Sequence, residues 1–204
     1  MYKLRYSKAS PYVRKIVLAA HHLGIENKID LDVADTNDPA DSLRSQNPTG
    51  RIPVLIKQDG TILFDSRVIM DFLERESEKL LFPKSGDLRD IALTQAALAE
   101  AMIDSALLWV YAGRYAGDEP VPQLWREHHQ NKLKNGCDYL EKNIDDWLSA
   151  DPYAGAAITL ASCLGYLSFR NVYNWSEKRP ALSHWYQNVA CNLPGFNVTA
   201  PDAN

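Results

Sequence analysis

The spacing of apolar positions changes character along the chain. From Tyr2 to Tyr6 apolar and charged residues alternate, the period of a strand with one covered face. Val13, Ile16, Val17 and Ala20 then take the i, i+3, i+4, i+7 spacing of an amphipathic helix. Pro11 suits that helix's first turn, where its missing N–H is no loss, and Gly24 suits its end. Ser10 therefore stands at the helix start. Residues 29–33 read Ile-Asp-Leu-Asp-Val, a half-buried or edge strand. Residues 35–40 are polar loop, 41–46 predict a short helix before Asn47-Pro48, and Thr49-Gly50 is a turn. Residues 52–56 and 62–64 predict strands joined by a hairpin at Asp59-Gly60. Val68, Ile69, Phe72 and Leu73 mark one face of a helix that starts near Ser66. The order is β-α-β-α-β-β-α, a small layered α/β domain.

Residues 80–87 break this pattern with Pro83 and Gly86 and read as a linker, with Asp87 a candidate cap for the next helix. Strand signals then nearly vanish. Helical spacing covers residues 88–116, closed by Gly117, Pro120 and Pro122, and returns over 123–148, 159–170 and 180–192. The prediction is an α+β chain of two domains: an α/β domain over 1–80 and an all-helical domain over 87–204. A length of 204 residues is enough for one large domain or two small ones.

Composition narrows the partners. A formal charge of −4 gives no whole-protein reason to expect nucleic acid or an anionic membrane surface, while leaving room for a local basic pocket. No uninterrupted apolar run reaches the ~18 residues of a membrane helix, and Met1-Tyr2-Lys3-Leu4-Arg5 lacks the apolar stretch of a signal peptide. Cys137, Cys163 and Cys191 are few, odd in number and far apart, which predicts reduced thiols in a cytoplasmic protein. The pairs His21-His22 and His128-His129 are adjacent, so on a helix they point about 100° apart. They make poor joint metal ligands, and no metal is expected.

The junction at Ser10 carries the first candidate chemistry. A helix start holds N–H groups with no intrahelical partner, a place that favours an anion. A serine there can simply cap the helix, which local sequence by itself favours, or donate its proton to a bound anion. Ile52-Pro53 comes after an Asn-Pro-x-Gly turn, and Asp65-Ser66 places an acid beside a hydroxyl just after the hairpin.

Ser10-Pro11-Tyr12-Val13 resembles the Cys-Pro-Tyr-Cys of glutaredoxins with both sulfurs removed. The wider chain resembles bacterial glutathione transferases of the Ser type. Asn47-Pro48-Thr49-Gly50-Arg51-Ile52-Pro53-Val54-Leu55 matches the family's Asn-Pro-x-Gly-x-(Val/Ile)-Pro-x-Leu and is the most specific motif present. Asp65-Ser66 resembles the family's (Glu/Asp)-Ser pair. Gly165-Tyr166-Leu167-Ser168-Phe169-Arg170, then Trp175 and Arg179-Pro180, resembles the YibF-like branch.

The resemblance implies a thioredoxin-like domain over 1–80, a cis Pro53, glutathione as co-substrate and a homodimer. It reverses the preference at Ser10, whose hydroxyl would hold glutathione's thiolate, with Ser7, Tyr6 and Tyr12 as competitors. Ile52 would pair with the cysteinyl backbone as an added strand does. Asp65 would meet the γ-glutamyl ammonium, and Ser66 its carboxylate. Arg51 would face the glycyl carboxylate or stand as a solvated charge, and Asp104 would reach across a dimer. Met102, Trp109, Tyr111 and Tyr115 would wall the site of a small apolar electrophile, or be core. Thr159-Leu160-Ala161-Ser162 stands where the family's Ser/Thr-x-x-Asp capping box is expected, with Thr159 as the cap and a Ser too short for the reciprocal bond. The implied reaction is attack of the thiolate on an electrophile. The alternative is a non-catalytic binding or regulatory protein on the same scaffold. A thiol-disulfide reductase is disfavoured because Ser10 has no sulfur for a mixed disulfide.

Overall fold

The computed structural model describes residues 1–147 and 153–201. The chain divides into two compact units, Met1–Leu81 with Leu193–Asn204, and Phe82–Asn192.

The first unit is built on a four-stranded sheet of order β2-β1-β3-β4, with β1 Tyr2–Tyr6, β2 Ile29–Val33, β3 Val54–Ile56 and β4 Ile62–Leu63. β1 and β2 are parallel, and the other pairs are antiparallel. Helices α1 (Pro11–Leu23), α2 (Leu43–Gln46) and α3 (Ser66–Arg75) complete it. The pleat sends Tyr2 and Leu4 to one face, where the Tyr2 ring meets Phe72 of α3 edge-on at 5.1 Å. On the other face Val54 joins Leu43 of α2 and Ala34, with Ile52 and Ile56 beside them. This is the thioredoxin-like arrangement that the resemblance implies.

Buried Arg5 pins the second face together. It donates to Ser42 Oγ at 2.8 Å, Gln46 Oε1 at 2.9 Å and Asp41 Oδ1 at 2.7 Å, so the segment around α2 is fastened onto β1. Two strands are shorter than predicted. β3 begins at Val54, because Pro53 has no N–H for the ladder, and β4 ends at Leu63. α1 is covered on more than one side: Leu18 and Ala19 are fully buried and Val17 only half. Part of that cover comes from the chain's end. The last helical turn closes at Asn192, and the chain from Leu193 groups with the first unit. There Arg14 donates to Phe196 O at 3.1 Å and lies 4.6 Å over the Phe196 ring. Gly195, at φ +79°, makes the turn where a Cβ would stand 2.3 Å from the His21 ring.

The second unit is helical: α4 (Asp87–Tyr115), α5 (Gln123–Asn143), α6 (Gly155–Phe169) and α7 (Pro180–Asn188). Every residue of α6 from Gly155 to Leu167 is buried. Close approaches need glycine: a Cβ on Gly136 of α5 would stand 2.6 Å from Met102 Sδ of α4, so Met102 is core. Glu141 of α5 caps α7, accepting from the N–H groups of Ala181 at 3.1 Å and Leu182 at 2.8 Å. Buried Arg179 donates to Asp138 Oδ1 from both Nε and Nη2, at 3.0 and 2.7 Å.

Three expectations are corrected by the helical unit. α6 starts at Gly155, a turn before Thr159, and Ala154 holds the cap position without a side-chain bond. Thr159 lies inside the helix, its Oγ1 donating to Gly155 O at 2.8 Å, and Ser162 Oγ donates to Ile158 O at 2.9 Å. A helix apolar on all sides offers no periodicity to mark its first turn, so an internal hydroxyl resembles a cap. At α4 the cap is Gly86, at φ +77°, and Asp87 is the first helical residue. α4 is also long and apolar enough by composition to cross a membrane, with mean hydropathy 1.4 over its best 18-residue stretch. A count of uninterrupted apolar residues overlooks this, because Glu100 and Asp104 break the run. A core helix of a bundle has the same composition. The predicted end of α5, Leu148, lies outside the described residues.

Thr159→Val should change the unfolding free energy by less than about 1 kcal/mol, since it swaps a satisfied hydroxyl for an apolar isostere. Loss of a true cap would cost about 1–2 kcal/mol, and urea titration separates the two. His129 of α5 is buried, its ring 4.2 Å from Trp125, and burial, with Lys132 and His128 nearby, holds its pKa below the usual 6.5. The folded ring stays neutral while the unfolded chain takes a proton, so stability falls as pH drops below about 6.5. His129→Phe should flatten that slope in melting temperatures measured from pH 7 to 5.

Candidate functional site

Register gathers the candidate residues. Arg5 pairs with Val54, and Leu55 with Leu63. The carboxyl ends of β1 and β4 therefore meet the start of β3 at one end of the sheet. Ser7 and Ser10 come after β1 there, Ile52-Pro53 precedes β3, and Asp65-Ser66 comes after β4. α1 and α3 both begin at this end, so two helix N-termini, each with partial positive charge, lie beside the same residues.

Ser10 is the N-cap of α1. Its backbone is extended (φ −84°, ψ 121°), and its Oγ accepts from Val13 N–H at 3.3 Å. Its own N–H donates to Ser7 O at 3.0 Å, which fixes the turn. Capping uses an oxygen lone pair and leaves the hydroxyl proton free to donate. The two readings of Ser10 are therefore compatible. Ser10 is half-exposed, as are Ser7, Tyr6 and Tyr12. Of the four, Ser10 holds the cap. The Lys15 ammonium lies 5.5 Å over the Tyr12 ring.

The turn before β3 is held from inside. Asn47 is 3% exposed. Its Nδ2 donates to Arg51 O at 2.9 Å, and its Oδ1 accepts from Thr49 N–H at 3.1 Å and Thr49 Oγ1 at 2.9 Å. Gly50, at φ +63°, completes the turn. The Ile52-Pro53 peptide is cis, as the resemblance implies. Ile52 lies outside the ladder, and neither its N–H nor its C=O bonds another described residue. Two backbone groups are thus left to pair with an extended ligand. The Arg51 side chain is exposed, and its guanidinium has no partner among the described residues.

At α3 the cap is Asp65, not Ser66. Asp65 Oδ1 accepts from Arg67 N–H at 2.9 Å, and the residue is exposed. The Phe64-Asp65 peptide is also cis. Ser66 is the first helical residue and is 3% exposed. An exposed carboxylate next to a helix-start N–H can meet an ammonium and a carboxylate carried on one carbon. Asp104 belongs to the other unit, where it is an exposed residue of α4. Among the described residues no three His, Cys, Asp or Glu side chains group as a metal site would require.

Sequence reading did not single out Asn47 or Arg5 as supports of this end. Asn47 had a signal, since Asn before Pro-x-Gly is a turn former whose side chain bonds the backbone two residues on. Arg5 had none, because its partners lie 36 to 41 residues away.

A thioredoxin-like unit with this end-of-sheet cluster, and a separate helical unit, define the class of protein. Residues 9–76 match the glutathione S-transferase N-terminal domain and residues 123–188 its C-terminal domain. The chain belongs to the glutathione S-transferase family. It is 29% identical over 191 residues to the uncharacterized GST-like protein YibF of Escherichia coli K12, covering 92% of this chain and 93% of that one. A glutathione transferase family member from Pseudomonas fluorescens Pf-5, solved with bound glutathione, superposes with a TM-score of 0.91 at 32% identity, over 99% of this chain and 100% of that one. A structure of that family member with bound S-(propanoic acid)-glutathione superposes with a TM-score of 0.87, at 32% identity and the same coverage.

The hold of Asn47 on its turn is measurable. Asn47→Ala strands the buried groups it serves and should cost about 1–3 kcal/mol. Denaturant unfolding measures the loss, and amide exchange should rise at residues 49–52 first.

Proposed function

We propose that the protein binds glutathione at the end of the sheet and activates its thiolate for attack on a small electrophile. The observation that carries this reading is the Ser10 hydroxyl, which caps α1 through its oxygen and keeps its proton to give. The unbonded Ile52 backbone and the Asp65-Ser66 pair support it. In this reading Ile52 takes the cysteinyl backbone of glutathione, which brings the sulfur toward Ser10. Asp65 takes the γ-glutamyl ammonium, and the α3 start with Ser66 takes its carboxylate. Arg51 takes the glycyl carboxylate. The glutathione bound by the Pseudomonas relative supports the ligand, and its S-(propanoic acid)-glutathione complex supports an occupied S-substituent.

An ordinary thiol with a pKa of about 8.5 is mostly protonated at neutral pH. A hydroxyl hydrogen bond and the α1 dipole both favour the anion. The sulfur lone pair then forms the C–S bond. The leaving group departs with its electron pair, or the π pair of an activated alkene moves to carbon and takes a proton from water. The aromatic side chains Trp109, Tyr111 and Tyr115 of α4 support an apolar electrophile. We read the protein as a cytosolic homodimer, which rests on the resemblance and on the three free cysteines.

Ser10→Ala should raise the pKa of bound glutathione by roughly one to two units, for a bond worth about 1.5–3 kcal/mol. Turnover near neutral pH should fall about ten- to hundredfold, with little change in glutathione affinity. Thiolate absorbance against pH tests this, and identical curves for both proteins would eliminate Ser10. Asp65→Ala should weaken glutathione binding in calorimetry. Binding by the wild type without turnover on any electrophile would favour the non-catalytic alternative.

A further inference from the structure

Inside the first unit the end of the chain grips α1 at two points. Arg14, 6% exposed, donates from Nη2 to Phe196 O at 3.1 Å and from Nε to Thr199 Oγ1 at 3.4 Å. Its guanidinium also lies 4.6 Å over the Phe196 ring. Further along the helix, Gly195 stands so close to the His21 ring that a Cβ would have no room. Arg14 and His21 are seven residues apart, two turns and about 10 Å along one stripe of α1. Residues 193–200 are braced for this role by their own bonds. Thr199 Oγ1 donates to Phe196 O at 3.1 Å, Phe196 N–H to Leu193 O at 3.0 Å and Thr199 N–H to Gly195 O at 3.1 Å.

The gripped residue is bonded to the candidate hydroxyl's own backbone. Arg14 N–H donates to Ser10 O at 3.0 Å, the first backbone bond of α1. The cap bond from Val13 N–H to Ser10 Oγ is longer, at 3.3 Å, and by itself holds the hydroxyl loosely. Buried Val13, Ile16 and Ala20 anchor α1 through apolar contact, which has no direction and tolerates small rotations of the helix. A buried guanidinium with a charge-assisted bond on its edge and a ring against its face does not tolerate them. The rotation of α1 is therefore fixed one turn away from Ser10.

We propose that residues 193–200 form a strap that sets the rotation of α1 and with it the aim of the Ser10 hydroxyl, Arg14 being the positioning residue through which the strap acts. The effect on chemistry rests on the glutathione-activating reading above. The grip on the first turn of α1 does not.

The test uses the full chain. Arg14→Met should move the thiolate titration of bound glutathione to higher pH. It should lower kcat near neutral pH about tenfold and change the KM for glutathione less than about twofold. Arg14→Lys, which can still donate to Phe196 O, should recover most of the loss. Phe196→Leu, which keeps apolar bulk and the carbonyl, should show part of it. In a Ser10→Ala background Arg14→Met should shift the titration no further, because its effect passes through Ser10. An unchanged titration in both Arg14→Met and Phe196→Leu overturns the proposal. So does a full further shift in the Ser10→Ala background. If Arg14→Met does not fold, Phe196→Leu and Thr199→Val decide in the same assay. Amide exchange without glutathione keeps the two readings apart. Phe196→Leu should speed exchange at Val13 and Arg14 about threefold or more. Ile69, whose N–H makes the matching first bond of α3 to Asp65 O, should not change. Faster exchange at Val13 and Arg14 in a chain that binds no glutathione removes the transferase reading and leaves the strap. Glutathione activation by wild type with unchanged exchange in Phe196→Leu removes the strap alone.

Discussion

A slip of one residue between β1 and β3 would turn Val54 toward the α1 face and Leu55 away from it. It would also move Pro53 off the end of the sheet where Ser10 and Asp65 lie. The register Arg5↔Val54 is therefore the constraint on which the candidate site depends. Arg5 enforces it physically. Its buried guanidinium points to the Val54 face and holds Asp41, Ser42 and Gln46, so α2 and the turn after it are tied to β1. Asn47 then holds the turn from within, and Ile52 emerges with its backbone unbonded.

The chemistry proposed at this end rests on ordinary folding devices used twice. Ser10 closes α1 with its lone pair and keeps a proton. Asp65 closes α3 with one oxygen and remains exposed. Neither role needs a special residue, which is why local sequence does not separate a cap from a ligand contact. The resemblance to glutathione transferases shifts the weight toward ligand contact, because it assigns these same positions to glutathione.

The helical unit obeys a different logic. α6 is buried along almost its whole length, so its hydroxyls at Thr159 and Ser162 turn back onto the helix's own carbonyls. The polar work is moved to the rims. Glu141 caps α7, and Arg179 ties α5 to the segment before α7.

Much of this was legible in the sequence. The strand-to-helix junction at Ser10, the Asn-Pro-x-Gly turn, the hairpin at Asp59-Gly60 and the change to all-helical structure near residue 87 are written in residues whose backbone choices are narrow. Proline, glycine and capping side chains act over three or four positions, and that is the range over which sequence alone decides. Four features needed the tertiary structure. Asp65 rather than Ser66 caps α3, because either residue could do so locally. α6 begins at Gly155, because a helix buried on every side carries no periodic mark of its start. The chain from Leu193 turns back to α1, where Arg14 waits 182 residues earlier in sequence. Glu141 of α5 reaches the N–H groups of Ala181 and Leu182, 40 and 41 residues further along the chain. Each of these is set by contacts between distant segments, and the energy of such contacts exists only once the chain has folded.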